Sequence, residues 1–225
     1  MGQEQSPEIY LAAKTTEQSS IIFRACADFI NASPELSKML TVTPYSKTIY
    51  NPANNGYLKA LSGEGKQQHG RSPSAVLIDE LHIWSESEQE LWDALQSGSM
   101  ARRQPLWLYL TTAGVDEYSL CGREYFYAKQ VLSGVIDDPY YLPLIWEVPK
   151  DADWTDEKNF HLANPSVGDI VSMQSLIEGR DKALNSPSEQ TAFRRLNLNQ
   201  WVNAKSTWIP LSKFDLCKWD GAVIQ

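Results

Sequence analysis

Short apolar runs alternate with helix-like segments in the first part of the chain. IYLAAKT (9–15) predicts a strand, and TTEQSSIIFRACADFINAS after it predicts a helix with a capping box formed by Thr15 and Gln18. Apolar residues recur there at helical spacing: Ile21, Ile22, Ala25 and Phe29. This pairing of a strand with an amphipathic helix is the first unit of an alternating pattern.

The pattern continues after a less regular stretch. Residues 34–73 contain several prolines and glycines and predict short strands and loops, with NNGYLKALSG as the clearest strand and turn. AVLI runs directly into Asp79 and Glu80 and predicts a buried strand. Ser85 with Glu88 predicts a second capping box, followed by a helix that ends near Gly98.

Two more apolar runs predict two more strands. PLWLYLTTAG (105–114) is typical of a second buried strand, residues 117–133 of a helix, and YYLPLIWEV (140–148) of a third strand. The alternation predicts an α/β fold with a parallel sheet and helices on both faces. We expect residues 75–79 and 106–111 to be neighbouring parallel strands.

The character of the sequence changes beyond Pro149. We predict a first domain over residues 1–149, a small, mainly helical subdomain over 150–210, and a connecting segment over 211–225. In the subdomain, SMQSLIEGRDKALN predicts one helix, and SPSEQTAFRRLNLNQW predicts another that starts with a capping box of Ser186 and Glu189.

Composition excludes some classes of function. The formal net charge of the 225 residues is −8, which argues against a freestanding DNA-binding domain, although the pairs Arg102–Arg103 and Arg194–Arg195 allow local contacts. No apolar run reaches the ~20 residues of a membrane span. MGQEQSPEIY lacks the features of a signal peptide, and the three cysteines are widely spaced, so we expect a cytoplasmic protein with free thiols.

The sequence Asp79–Glu80 at the end of an apolar strand is the Walker B arrangement of nucleotide-hydrolysing motors. There the aspartate holds Mg²⁺, usually through water, and the glutamate polarises the attacking water. Thr111, Thr112 and Gly114 stand at the end of the next predicted strand, where hydroxyl groups can sense the γ-phosphate of ATP. Taken alone, each motif also fits a simpler interpretation, a solvated turn for the acids and a strand cap for the threonines.

Four segments in order strengthen the motor interpretation: GRSPSAVLIDELHIW, PLWLYLTTAG, NFHLANPSVGD and FRRLNLNQWV. Together they resemble the large terminase subunit of tailed bacteriophages and prophages over nearly the whole chain. The resemblance implies an incomplete P-loop NTPase sheet of the additional-strand RecA-like type, followed by a linker subdomain. It also implies ATP and Mg²⁺ as ligands, and double-stranded DNA, a portal protein, a small terminase subunit and further copies in a ring as partners.

Two parts of the family pattern do not occur in this sequence. GEGKQQHG fails the Walker A motif because Ala60 and Gln67 stand where a glycine and a Ser or Thr are needed. The nuclease domain of the family is also lacking, and we interpret Asp215 and Asp220 as interdomain surface. We therefore expect this chain alone to bind nucleotide poorly.

Several further residues allow two interpretations each. The resemblance makes Arg71 a candidate arginine finger acting on a neighbouring subunit, but it also fits an exposed loop arginine. His82 occupies the histidine position of the DExH helicase pattern, or makes a structural contact beside the acids. The three histidines are His69, His82 and His161, and they show no zinc-ligand spacing with each other or with the cysteines. We expect Trp201 and Trp208 to pack within the subdomain rather than stack on DNA.

Two alternatives to an ATPase motor remain open from the sequence. One is a non-catalytic prophage remnant or a module that binds terminase, portal or DNA. The other is a fragment of a DExH helicase, although the helical segment after residue 150 leaves no room for a second RecA-like domain.

Overall fold

The structure of the protein is a computed structural model that describes residues 4–62 and 70–202. The described strands are β1 (Glu8–Ala13), β2 (Thr41–Thr43), β3 (Thr48–Asn51), β4 (Gly56–Ser62), β5 (Ala75–Asp79) and β6 (Leu106–Leu110). They form a sheet in the order β2-β3-β4-β1-β5-β6. The chain divides into two compact units, Met1–Pro143, which contains the sheet, and Leu144–Gln225.

The helices of the first unit are α1 (Thr16–Ala32), α2 (Pro34–Met39), α3 (Glu86–Ser99) and α4 (Leu120–Leu132), with a 3₁₀ turn at Leu81–Ile83. Those of the second unit are α5 (Phe160–Ala163), α6 (Met173–Leu184) and α7 (Pro187–Leu196), preceded by a 3₁₀ turn at Glu157–Asn159. Within the described ranges, no helix is long and apolar enough to cross a membrane.

Two predicted helix starts are confirmed, and one helix was missed. Thr15 with Gln18, and Ser85 with Glu88, form complete capping boxes at α1 and α3. The helix α2 lies where the sequence predicted only strands and loops. It begins at Pro34, and the side chain of Ser33 accepts a hydrogen bond from the Leu36 N–H, so a serine cap followed by proline was its local signal.

The predicted α/β fold with helices on both faces is confirmed. β1 pairs in parallel with both β4 and β5, and β5 with β6, whereas β2, β3 and β4 pair antiparallel. The sheet is therefore mixed, because short turns let β2, β3 and β4 follow one another as hairpins. On one face Phe23 of α1 packs with Leu11. On the other, the ring of Trp92 in α3 lies 5.3 Å from that of Trp107.

The prediction that β6 is a buried strand is wrong. Among the described strands β6 lies at the edge of the sheet, and Leu106, Leu108 and Leu110 are 60%, 45% and 49% exposed. Trp107 and Tyr109 point to the other face and pack against Trp92, whose side of the sheet α3 covers. An apolar run without alternation does not distinguish a strand covered on both faces from one that has a single covered face.

The prediction of a third strand at residues 140–148 is also wrong, since this segment belongs to no strand. Pro143 lies in its middle and cannot donate a ladder hydrogen bond. In the first unit the Tyr141 hydroxyl donates to Glu124 at 3.4 Å. In the second unit the Val148 N–H donates to the Leu198 carbonyl at 3.0 Å.

The second unit has a small apolar core of its own. Its buried members come from the loops and from α5, α6 and α7: Val148, Phe160, Leu176, Ala183, Phe193 and Leu198. The capping box predicted at its last helix is not formed, because Ser186 is the N-cap of α7 but its hydroxyl contacts the hydroxyl of Ser188. Pro187 occupies the first turn as predicted.

Candidate functional site

The carboxyl ends of β5 and β6 lie side by side, as the sequence predicted for these two strands. Their parallel register pairs Asp79 with Leu110. The residues that follow, Glu80 and Thr111, therefore leave the sheet at the same edge. The carboxyl edge of an open α/β sheet is the place where ligands bind in such folds.

Glu80 has an unusual backbone conformation directly after β5. Its φ and ψ angles are 52° and 49°, in the left-handed region that residues other than glycine seldom adopt. Such a conformation costs of order 1–3 kcal/mol and is often found at functional sites. The Glu80 Oε2 atom is buried and lies 3.0 Å from Nδ1 of His82. The turn thus directs the carboxylate towards the imidazole.

His82 connects Glu80 to the end of β6. Its backbone N–H donates to Oγ1 of Thr111 at 2.9 Å. Its Nδ1 lies 3.3 Å from that oxygen and 3.4 Å from Oγ1 of Thr112. The His82 side chain is only 11% exposed, against 42% for Glu80. The structure therefore gives His82 contacts with three of the residues singled out from the sequence.

The 3₁₀ turn after Glu80 is also held from the side of β1. The ammonium group of Lys14, which follows β1, donates to the Ile83 carbonyl at 3.1 Å. Because β1 is parallel to β5, Lys14 lies at the same sheet edge as Glu80. Sequence analysis did not single out this residue, and the signal for it was a lysine near the carboxyl end of the first predicted strand.

The threonines and Gly114 occupy different environments. Thr111 is exposed, and its hydroxyl donates to the Thr112 carbonyl at 3.0 Å, while Gly114 is buried. The sulfur of Cys121 in α4 lies 3.6 Å from Oγ1 of Thr111. Burial raises the pKa of Cys121 to about 11, so it remains a neutral thiol near pH 7. The segment after β6 is thus packed against α4 and presents its hydroxyl groups at the sheet edge.

Asp79 is a candidate ligand for a divalent cation. It ends β5, and within residues 4–62 and 70–202 no hydrogen bond or ion pair engages its carboxylate. Mg²⁺ is commonly bound by one or two carboxylates together with phosphate oxygens and water. No group of three or more His, Cys, Asp or Glu side chains in the described ranges has the geometry of a metal site.

Arg71 comes before the amino end of β5. It therefore lies at the end of the strands opposite to Glu80 and Thr111. Its Nη1 donates to the Tyr10 hydroxyl at 3.2 Å, and its guanidinium carbon lies 4.9 Å from the centre of the Tyr10 ring. The Tyr10 hydroxyl also donates to Glu8 at 2.6 Å. Arg71 is thus part of a polar cluster away from Glu80, and the structure does not bring it to the cleft of its own chain.

The other residues considered from the sequence lie apart from the cleft or outside the described ranges. His161 is exposed in α5, and Trp201 is buried in the second unit. Several of the residues discussed above lie outside the described ranges: Gln67, His69, Trp208, Asp215 and Asp220.

The family described as terminase large subunit, ATPase domain, matches residues 1–130, which include the whole cleft. The chain belongs to this family. The large terminase subunit of Enterobacteria phage HK97 is 31% identical to it over 219 residues, which are 95% of this chain and 41% of that protein. Protein YmfN of Escherichia coli (strain K12) is 29% identical over 153 residues, 68% of this chain and 33% of its own length. The chain therefore spans less than half of the length of these relatives.

Solved terminase structures have the same fold. The crystal structure of the HK97 large terminase matches with a TM-score of 0.78 at 30% identity, over 95% of this chain and 43% of that one. The large terminase of a thermophilic bacteriophage in complex with ADP matches with a TM-score of 0.51 at 15% identity, over 88% and 42%. The second likeness concerns the fold alone. Both agree with a RecA-like α/β architecture for the ATPase domain.

Proposed function

We propose that this chain is part of the ATP-hydrolysing motor of a phage terminase large subunit, which translocates double-stranded viral DNA and packages it into procapsids. The observation that carries the proposal is the parallel register of β5 and β6. It sets the Asp79–Glu80 pair beside Thr111 and Thr112 at one sheet edge. A metal-holding acid, a second carboxylate and two hydroxyl groups form a suitable set for phosphoryl transfer to water.

Each residue of the cleft has a distinct proposed role. Asp79 holds Mg²⁺ through water, and Glu80 orients and polarises the water that attacks the γ-phosphate. Thr111 and Thr112, with the backbone at Gly114, contact the nucleotide and respond to loss of its terminal phosphate. Mg²⁺, when bound, neutralises charge on the phosphate oxygens. The ADP bound to the terminase of the thermophilic phage supports a nucleotide as the ligand of this fold.

A triphosphate also needs backbone amides and a lysine to hold it, and the 225 residues contain no G-x-x-x-x-G-K-[ST] motif. Among the described residues no strand pairs with the outer side of β6, and the strand has exposed leucines, Leu106 and Leu108 among them. An exposed strand edge is a template for another strand. We propose that in the whole protein a parallel strand pairs with β6 and brings the phosphate-binding loop next to Thr111.

The proposed partners follow from the motor function. They are double-stranded DNA, a portal protein, a small terminase subunit and further copies of the same chain in a ring. The position of Arg71 opposite its own cleft suits an arginine that acts on the nucleotide of a neighbouring subunit. In that role it would exchange the Tyr10 hydroxyl for a phosphate oxygen, which Arg binds more strongly through charge-assisted hydrogen bonds.

The experiment that tests this function uses a reconstructed full-length protein, in which a phosphate-binding loop and a nuclease domain are restored to this chain. Steady-state release of phosphate from ATP is measured with and without Mg²⁺, and packaging is measured as DNA protected from nuclease inside procapsids. We expect Mg²⁺-dependent hydrolysis and ATP-dependent packaging, both lost in Asp79→Ala. Full packaging by Asp79→Ala would contradict the motor function proposed for this cleft. A full-length protein that binds procapsids but hydrolyses no ATP would favour a non-catalytic module.

A further inference from the structure

We infer that His82 is a positioning residue that holds the Glu80 carboxylate and links it to the hydroxyl groups after β6. The inference rests on the proposed function, since it concerns how the same cleft is regulated. Nδ1 of His82 lies 3.0 Å from Glu80 Oε2, 3.3 Å from Thr111 Oγ1 and 3.4 Å from Thr112 Oγ1. One ring nitrogen thus lies within reach of the proposed hydrolytic carboxylate and both proposed sensors of the phosphate.

The backbone of the turn that carries the imidazole is held in place. The backbone N–H of His82 is bonded to Thr111 Oγ1, and the next residue in the turn, Ile83, accepts a hydrogen bond from Lys14. The turn is therefore held from both neighbouring strands. The left-handed backbone of Glu80 directs its carboxylate to the ring, and a strained conformation of this kind persists only where surrounding contacts maintain it.

Hydrogen-bond chemistry makes the three contacts mutually dependent. Glu80 Oε2 lies at ion-pair distance from Nδ1 of His82, but the geometry of the contact is not that of a hydrogen bond. Because a carboxylate only accepts hydrogen bonds, completing this contact requires a hydrogen on Nδ1 that points at Glu80. A hydrogen bond from that hydrogen to Glu80 competes with a hydrogen bond from it to the hydroxyl oxygen of Thr111 or Thr112. A change in the hydrogen bonding of Thr111 or Thr112, such as engagement by a phosphate, therefore changes how strongly His82 holds Glu80. The contact gives strand β6 a direct means of controlling the orientation of the carboxylate.

Three substitutions of His82 in the full-length protein test the inference. Asn places its amide nitrogen at the position of Nδ1, whereas Gln places it near the position of Nε2, and Ala removes the ring. The kcat and KM for ATP hydrolysis and the Kd for nucleotide are measured for each, beside Glu80→Gln as the reference. His161→Ala is the matched control, because His161 is exposed in α5.

We expect His82→Ala to lower kcat by roughly 100-fold, the order of effect of a small misplacement of a catalytic group. The KM and the nucleotide Kd should remain near those of the parent. His82→Asn should restore most of the lost kcat and His82→Gln little of it. Adding His82→Ala to Glu80→Gln should produce little further loss, since His82 acts through Glu80. His161→Ala should hydrolyse ATP like the parent.

Other outcomes overturn the inference. If His82→Ala hydrolyses ATP like the parent while Glu80→Gln does not, the proposed function stands and His82 has no positioning role. If Asn and Gln lose kcat equally, or if losses follow the melting temperatures of the variants, His82 is only a structural contact. If Ala does not fold, the Asn and Gln variants still decide between these cases. If the parent itself hydrolyses no ATP, the proposed function fails, and the inference fails with it.

Discussion

Gly98 in α3 packs against the backbone carbonyl of Arg71. A Cβ atom at Gly98 would overlap the Arg71 oxygen and would lie 3.2 Å from Cδ of Pro73. The sequence predicted Gly98 as the stop of the helix, but α3 continues to Ser99. Because Gly98 has no side chain, the helix can approach the loop that leads into β5. This contact fixes the amino end of the strand that carries Asp79.

The first prediction concerns this close approach. Gly98→Ala should lower the free energy of unfolding by about 1–3 kcal/mol, because overpacking against backbone outweighs the better helix propensity of alanine. The measurement is equilibrium denaturation in urea. Gln96→Ala, at an exposed position of the same helix, is the control and should change stability by less than about 0.5 kcal/mol. A Gly98→Ala variant as stable as the parent would contradict the packing described here.

The second prediction separates the two acids in the full-length protein. Glu80→Gln keeps size and hydrogen bonding but removes the charge that polarises water. Nucleotide should therefore still bind, while hydrolysis falls on the order of 10² to 10⁴-fold. Asp79→Ala should weaken binding of the magnesium nucleotide itself, because the metal contact exists before the reaction begins. Affinity and steady-state hydrolysis are measured together for each variant. Parental hydrolysis by Glu80→Gln would show that Glu80 is not the catalytic carboxylate.

The third prediction concerns the 225-residue chain by itself. We expect no measurable Mg²⁺-dependent hydrolysis of ATP. The sequence contains no phosphate-binding motif, and Asp79 and Glu80 alone cannot position a triphosphate. Phosphate release is followed at steady state, with the Asp79→Ala form of the same chain as the background. Turnover above that background would reveal a phosphate site of another kind.

The fourth prediction concerns pH and the start of α3. Burial alone would raise the pKa of Glu88, but hydrogen bonds from Ser87 and Ser85 outweigh it and hold the pKa below its ordinary value. The ionised form is therefore favoured by folding. Its contribution to stability is present above the pKa of the unfolded chain and is lost as pH falls through the lower folded value.

Glu88→Gln should accordingly lower the free energy of unfolding by about 1 kcal/mol at neutral pH, the usual effect of weakening a helix cap. The difference from the parent should narrow as the pH falls below about 4. Denaturation curves at several pH values measure it. Glu90→Gln, at an exposed position of α3, serves as the control for removing one carboxylate from the same helix. A difference for Glu88→Gln that is constant with pH would mean that the charge of Glu88 has no role.

Much of the candidate site was predicted from short stretches of sequence. The end of β5 at Asp79 and the hydroxyl groups after β6 are local features, because an apolar run and the polar residues that end it are contiguous. The capping boxes of α1 and α3 are equally local, since each joins residues three positions apart. The local pattern was insufficient in two places. At residues 140–148 a proline interrupts the apolar run that predicted a strand, and at β6 no described helix covers the face that carries the exposed leucines.

The sequence by itself determined the α/β class, the strand ends and the chemistry available at them, because backbone propensity and side-chain type act over a few residues. Only the tertiary structure decided that His82 joins Glu80 to Thr111, and that Arg71 lies at the other edge of the sheet beside Tyr10. These relationships depend on the order and register of strands distant in the chain. Hydrogen bonds across the sheet set that register, and the periodicity of a single segment carries no information about which strand will lie beside it.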